Sequence, residues 1–190
     1  MVNGEALPSF RYHPDPVGTG NVVARLIVCA VCGEPRSHVY IGPYVSPDLH
    51  FENEDALCPW CIADGAAAAR WQASFVAAAY LSEEARTRMP ADQVAELELR
   101  TPSFLCVQQE RWLDHHGEAA QYLGEIGLEE YTGLPASAQA AVREAAGDDP
   151  AGSAGGGDGV QLLRADGDGP AVYLFQCLHC DWHGAFYAGT

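Results

Sequence analysis

Three Cys-x-x-Cys pairs carry the clearest chemical signal in this chain. They are Cys29–Cys32, Cys58–Cys61 and Cys177–Cys180. Two such pairs at the spacing of the first two are typical of a tetrahedral zinc site, because each tight turn brings two sulfurs to within about 2.3 Å of one ion. Four thiolates leave no open position for water, so this ion would be structural. We therefore predict a zinc site with the ligands Cys29, Cys32, Cys58 and Cys61.

The third pair needs further ligands, and the sequence leaves two arrangements open. In the first, Cys177 and Cys180 face the first pair as a second knuckle, and the Cys58–Cys61 pair is left free. In the second, they form an independent site with histidine, since zinc accepts mixed sulfur and imidazole ligation. The histidines that could take part are His115, His116, His179 and His183.

The second pair, Cys58-Pro59-Trp60-Cys61, also admits a redox interpretation. Thioredoxin-like proteins place a CxxC at the start of a helix to lower a thiol pKa for disulfide exchange. They carry the motif after a strand of a βαβ unit, whereas here an acidic loop precedes it. We favour metal binding. Thiol–disulfide exchange at this pair, or hydrolysis at an incomplete second metal site, is the enzymatic alternative.

The segments around the cysteines predict the elements that position them. The β-branched run 22–28 predicts a strand that enters the first pair, and 38–41 predicts its return strand. Gly33 between them supplies the left-handed conformation of a tight metal-binding turn. Pro59 suits a first helical position, and apolar residues recur at helical spacing over 59–81, which predicts one helix. A knuckle hairpin followed by two cysteines at a helix start is the arrangement of a treble-clef zinc finger.

The rest of the chain predicts a helical middle and a second knuckle. Helical faces are expected to begin near Ser82, around Trp112, over 119–126 and over 135–146. Strands are expected at 171–176 and 185–188, on either side of the third cysteine pair. The predicted fold class is α+β, with treble-clef and zinc-ribbon-like knuckle hairpins. We expect a single domain, 1–190, made of a zinc-finger-like part at 22–81, a helical middle at 82–146, a flexible insertion and turn at 147–170 and a knuckle hairpin at 171–190.

Charge and composition limit the partners. The 190 residues include 26 acidic and 10 basic ones, all arginine, for a net charge of −16. Phosphate backbones are held by clustered positive charge, so no nucleic-acid partner is expected; the expected partner is a protein.

The chain has no apolar run of about 20 residues and no signal-like start, so membrane insertion is not expected. Seven cysteines in such a chain favour a reducing compartment, which predicts a cytoplasmic protein.

Several motifs together resemble the CbrC family of bacterial proteins, one member of which is linked to colicin tolerance. They are Phe10-Arg11-Tyr12-His13-Pro14-Asp15-Pro16, Cys58-Pro59-Trp60-Cys61-Ile62-Ala63-Asp64-Gly65, Arg100-Thr101-Pro102 with Phe104, Gln108-Gln109-Glu110, and Phe175 with Cys177-Leu178-His179-Cys180. The resemblance implies a cytoplasmic zinc-binding or adaptor protein that acts in bacteriocin tolerance or envelope stress. In that family a cysteine often stands where this chain has His116. The resemblance thus implies His116 as the ligand that joins Cys177 and Cys180 in a second metal site.

Overall fold

The structure, a computed structural model, describes residues 6–48, 56–106, 108, 110–147 and 171–188. Its strands are β1 Val22–Val28, β2 Pro35–Tyr40, β3 Asp114–His115, β4 Glu118–Ala119, β5 Gln121–Glu125, β6 Ala171–Gln176 and β7 His183–Ala188. Its α-helices are α1 Pro59–Ala63, α2 Ala66–Trp71, α3 Glu83–Arg88, α4 Ala91–Arg100, α5 Leu128–Gly133 and α6 Ala136–Ala145. A 3₁₀ turn covers Ala78–Tyr80. The insertion predicted at 147–170 lies, beyond its first residue, outside the described residues.

The strands form small antiparallel sheets, which confirms the predicted α+β class. β1 pairs with β2, β3 pairs with β4, and β5, β6 and β7 form a three-stranded sheet in that order. The first hairpin carries one cysteine pair at its turn. The β6–β7 hairpin carries the third pair, between Gln176 and His183, which face each other in its register. Both predicted knuckle hairpins are therefore present.

The single helix predicted over 59–81 is wrong. Gly65 has a φ of 78° and separates α1 from α2, and Gln72, with a φ of 51°, ends α2. The chain then runs extended, and Ser74 exchanges backbone hydrogen bonds of 2.8 and 2.9 Å with Val45. The apolar residues beyond α2 do enter the core. They do so from a loop whose backbone partners lie elsewhere in the chain, so their helical spacing was misleading.

The predicted helical middle is only partly helical. The helix expected near Ser82 is α3, and the Ser82 hydroxyl caps it by accepting a hydrogen bond of 3.1 Å from the Ala85 N–H. The helix expected over 135–146 is α6. The helical faces expected around Trp112 and over 119–126 are wrong, because residues 110–113 form neither helix nor strand and the chain then continues as β3, β4 and β5. Strand β5 alternates half-buried and buried positions along Gln121–Gly124, as a strand packed on one face does.

An aromatic cluster centred on Phe104 fills the space between the middle of the chain and the three-stranded sheet. The Phe104 ring centroid lies 4.1 Å from that of Tyr122, 5.2 Å from that of Tyr173 and 5.9 Å from that of Phe175. Phe104 is fully buried. The same buried cluster extends to Cys29, so the residues around the first cysteine pairs and the C-terminal sheet share one hydrophobic core.

Replacing Phe104 by alanine should lower the free energy of unfolding by about 3–5 kcal/mol, because the large cavity cannot be filled by its rigid aromatic neighbours. The measurement is urea unfolding at equilibrium, with an unchanged m-value. The control is Leu105→Ala at the next residue, whose side chain is 58% exposed and whose loss should change stability by about 0.5 kcal/mol or less. Equal losses in both variants would contradict the packing assigned to Phe104.

His13 is a buried histidine that joins the N-terminal segment to this core. Its Nδ1 lies 2.7 Å from the Pro102 carbonyl oxygen, and its Nε2 lies 2.7 Å from the Thr19 hydroxyl. A neutral ring satisfies both contacts by donating from Nδ1 and accepting at Nε2. Burial is the main cause that lowers the pKa of His13 from 6.5 to about 4.

This histidine should make the protein less stable in acid. The unfolded chain takes up a proton at His13 near pH 6.5, whereas the folded protein does so only near pH 4. The free energy of unfolding should therefore fall between these pH values by on the order of 3 kcal/mol. Urea unfolding from pH 7.5 to pH 4 should show a weaker pH dependence in His13→Gln than in wild type. The control variant is His38→Gln, at a half-buried site on β2. A pH dependence in His13→Gln equal to that of wild type would refute the role assigned to His13.

Candidate metal centre

Four cysteine sulfurs from two separate elements meet beside the β1–β2 turn. The Sγ atoms of Cys29, Cys32, Cys58 and Cys61 all lie within 4.8 Å of one another. In a tetrahedral zinc–thiolate site, bonds of about 2.3 Å place neighbouring sulfurs about 3.8 Å apart. The Cys29 and Cys61 sulfurs are separated by 3.9 Å. These residues therefore fit a tetrahedral metal ion of the size of zinc.

The turn after β1 directs the first two cysteines. Gly33 has a φ of 75°, which lets its N–H donate a hydrogen bond of 2.8 Å to the Cys29 carbonyl. The Cys29 N–H donates to the Glu34 carbonyl at 3.0 Å and closes the turn against β2. The backbone is thus folded into a knuckle in which Cys29 is buried and Cys32 is half-buried.

The start of α1 directs the other two cysteines. Cys58 precedes the helix and Pro59 occupies its first position, where the missing N–H of proline needs no partner. The Cys58 N–H points at the Cys29 sulfur at a distance of 3.4 Å. Cys61 lies in the first turn of the helix, and its side chain is only 2% exposed. The knuckle after β1 and the start of α1 thus face each other across one small volume.

The close approach of the sulfurs shifts the pKa values of Cys29, Cys58 and Cys61 in different directions. Hydrogen bonds with the thiols of Cys58 and Cys61 hold the pKa of Cys29 well below its usual range. Contact with Cys29 raises the pKa of Cys58 to about 12 and also raises the pKa of Cys61, because a second negative charge is unfavourable beside the first. A divalent cation among the sulfurs would remove this repulsion and allow all four to ionise.

The facing-knuckle arrangement considered for the third pair is wrong. Cys58 and Cys61, rather than Cys177 and Cys180, share the volume with the first pair. Cys180 instead lies beside two histidines, with its sulfur 3.7 Å from His115 Nδ1 and 3.7 Å from His116 Nε2. Of the predicted second-site residues, the structure thus brings Cys180 and His116 together.

His115 joins this second cluster, and Cys177 does not. Among the described residues, the ligand atoms within 4.8 Å of one another here belong to His115, His116 and Cys180. Cys177 is buried, and its sulfur accepts a hydrogen bond of 3.3 Å from the His179 N–H. His115 was one of four candidate histidines in the sequence. Only the β3–β4 hairpin, which sequence periodicity did not predict, singles it out.

Comparison with known proteins assigns the chain to a family. The profile of the Uncharacterised protein family (UPF0167) matches residues 7–187, which include both cysteine clusters. The chain belongs to the UPF0167 family. It is 41% identical over 186 residues to the UPF0167 protein Mb2317 of Mycobacterium bovis, covering 96% of this chain and 93% of that protein. It is also 41% identical over 175 residues to the UPF0167 protein PA1536 of Pseudomonas aeruginosa, covering 92% of each chain. No solved structure matches the chain.

In the part of the chain that the structure describes, no helix is long and apolar enough to span a bilayer.

Metal removal should destabilise this UPF0167 chain. An ion that binds only the folded state adds about 4 kcal/mol to the free energy of unfolding when its free concentration is a thousand times its dissociation constant. Urea unfolding of reduced protein in zinc buffer, with and without a chelator, measures this difference. Cys58→Ser should lose most of it, and Cys106→Ser, at a half-buried cysteine outside both clusters, should keep it. An equal response to the chelator in both variants would contradict the site.

Proposed function

We propose that this UPF0167 chain is a zinc-binding protein whose four-thiolate centre is structural, and that it acts as a binding or adaptor module for a protein partner. The observation that carries the proposal is the convergence of Cys29, Cys32, Cys58 and Cys61 within 4.8 Å. Four sulfur ligands in a tetrahedral arrangement are typical of zinc, or of iron in sulfur-ligated centres. Zinc is the ion proposed here, because a structural role needs no redox change.

The surroundings of the sulfurs support a structural role. Cys29, Cys58 and Cys61 belong to the main hydrophobic core, together with Tyr12 and Phe104. A metal held there would join the β1–β2 hairpin to α1 and leave no ligand position for water or substrate.

The same burial argues against thiol–disulfide exchange at the CPWC pair. An exchange thiol must be accessible and must ionise easily. Cys58 is fully buried and Cys61 is 2% exposed, and the pKa of Cys58 is raised to about 12 by its contact with Cys29. A protein partner is proposed because the net charge of −16 disfavours nucleic acid and favours a surface of opposite charge.

The cellular role rests on the resemblance to CbrC. We propose a cytoplasmic protein that acts in bacteriocin tolerance or envelope stress. A strain without the gene should then survive colicin-type bacteriocins less well. Restoring the wild-type gene should return survival, and restoring a Cys58→Ser/Cys61→Ser gene should not. Survival that does not change when the gene is removed would refute this role.

Elemental mass spectrometry of the purified, reduced full chain tests the metal. Wild type should contain zinc at the four-thiolate centre, and Cys58→Ser/Cys61→Ser should contain one zinc fewer per chain. Cys106→Ser is the matched control and should retain the wild-type content. A metal-free wild type, or a double variant with unchanged metal, would refute the proposal.

Alkylation and activity measurements test the enzymatic alternative. Iodoacetamide should label Cys58 and Cys61 only after a chelator is added, because metal and burial protect them. Reduction of a disulfide substrate should proceed no faster with wild type than with Cys58→Ser/Cys61→Ser. Rapid labelling of the metal-loaded protein, or reductase activity that the double variant loses, would favour redox catalysis instead.

A further inference from the structure

We propose that His115, His116 and Cys180 form a second metal site, which binds a zinc-like divalent ion reversibly and leaves one coordination position open. The residues come from the β3–β4 hairpin and from the loop between β6 and β7. The site is separate from the four-thiolate centre and does not depend on it. It differs from the ligand set that the resemblance to CbrC implied, because His115 takes the place of Cys177.

The ligand atoms are already at distances that suit one ion. Zinc bonds of about 2.0 Å to nitrogen and 2.3 Å to sulfur place tetrahedral neighbours about 3.5 Å apart. The Cys180 sulfur is 3.7 Å from a ring nitrogen of each histidine. The two imidazole centroids are 4.0 Å apart, with their planes inclined by 54°. One sulfur and two nitrogens therefore surround a position that an ion can occupy with little movement.

The turn that presents His116 is itself unusual. His116 and Gly117 have φ values of 56° and 76°, so both central residues of the two-residue β3–β4 turn are left-handed. Such a turn is most easily formed by Asn-Gly or Gly-Gly; histidine is among the few other residues enriched at positive φ, and it adopts this conformation at some cost in backbone energy. Backbone strain of this kind concentrates at functional sites. A ligand role explains why an imidazole stands at the tip of this hairpin.

The carboxylate of Glu118 holds the β3–β4 hairpin against the loop between β6 and β7. Glu118, at the start of β4, accepts a hydrogen bond of 2.6 Å from Nε2 of His179, the neighbour of Cys180. The opposite oxygen of Glu118 accepts from Arg11 at 2.5 Å and from the Tyr12 hydroxyl at 3.1 Å. These contacts fix the loop that carries Cys180 relative to the turn that carries His116.

Ring stacking fixes the orientation of His115, the remaining proposed ligand. The His115 ring lies parallel to the Trp182 ring, with centroids 4.4 Å apart and planes inclined by only 1°. Trp182 belongs to the same loop as Cys180, and its carbonyl accepts a hydrogen bond of 2.9 Å from the Cys177 N–H. The His115 imidazole and the Cys180 sulfur are therefore oriented toward each other by contacts that need no metal. This orientation reduces the entropy lost when an ion binds.

Exposure and ligand number separate this site from the four-thiolate centre. His116 and Cys180 are exposed and His115 is half-buried. Three protein ligands and an open fourth position are the arrangement of catalytic rather than structural zinc sites. An ion held there exchanges with solvent and can take water, or an anionic or imidazole group of a partner, as its fourth ligand.

Cobalt titration of the full chain tests the site. The four-thiolate centre is first loaded with one equivalent of Zn²⁺, which binds nitrogen and sulfur sites more tightly than Co²⁺ does. Co²⁺ alone is then added, and its visible absorption reports tetrahedral coordination with a thiolate ligand. Wild type should take up one equivalent of Co²⁺, and a chelator should remove it before it removes the zinc. Absence of a saturable cobalt spectrum would overturn the proposal.

His116→Asn is the decisive variant, because asparagine suits the left-handed turn and removes the ligand. It should keep or raise the stability of the fold and lower the cobalt affinity at least about 100-fold. This loss is larger than the one caused by removing a hydrogen bond to a metal-ligating side chain. Cys180→Ser should have the same effect and abolish the thiolate-to-cobalt absorption. His183→Asn, on β7 outside the cluster, is the control and should bind as wild type does. Wild-type affinity in His116→Asn or Cys180→Ser would refute the site.

Cys177→Ser tests the number of ligands. It should change the cobalt affinity less than about threefold, since the Cys177 sulfur lies outside the cluster in the described structure. A loss as large as that of Cys180→Ser would overturn the open fourth position. The zinc retained in each sample, measured by elemental mass spectrometry, reports the four-thiolate centre separately. A failure of the proposed structural site can thus be told apart from a failure of this one.

Discussion

The close approach of four cysteine sulfurs is the constraint on which the N-terminal half of this structure depends. The sulfurs of Cys29, Cys32, Cys58 and Cys61 share one small volume, in which contact with Cys29 raises the pKa values of Cys58 and Cys61. The backbone nevertheless converges on this point from a hairpin turn and from a helix start. A cation makes that convergence favourable, and it would then act as a core residue that ties two segments together.

The two candidate metal clusters show how the burial of the ligands determines whether a bound ion is structural or exchangeable. Three cysteines of the four-thiolate cluster belong to the hydrophobic core and Cys32 packs against it, so an ion bound there would be largely shielded from solvent. The His115–His116–Cys180 cluster lies at the surface, where loop and hairpin hold three ligands and solvent reaches the fourth position. A buried ion contributes to stability, whereas an exposed one remains available to partners. With both proposed sites filled, one small chain would combine a structural and an exchangeable metal.

Sequence reasoning succeeded where the determining contacts are local. The knuckle around Gly33, the cysteines at the start of α1 and the helix α6 all follow from short-range patterns. It failed where partners are distant: 59–81 was taken as one helix because the hydrogen bonds of Ser74 to Val45 cannot be read from periodicity. The strand β5 was missed for the same reason, since it pairs with β6 across a long intervening segment. The strands β3 and β4 pair locally, but each has only two residues and is too short to produce a periodic pattern. His115 as a ligand depends on those strands and could not be singled out before them.

The order of strands in the C-terminal sheet has a consequence for synthesis on the ribosome. β6 lies between β5 and β7, and its Phe175 faces Tyr122 of β5 in the register and packs against Phe104. The cysteine knuckle and α1 are close in sequence and can form as soon as they leave the exit tunnel. The aromatic core must wait for the last strands to be translated, and until then Phe104 and Tyr122 remain uncovered. From the translation of Phe104 until the last strands emerge, the nascent chain therefore exposes an apolar aromatic surface that favours aggregation or chaperone binding.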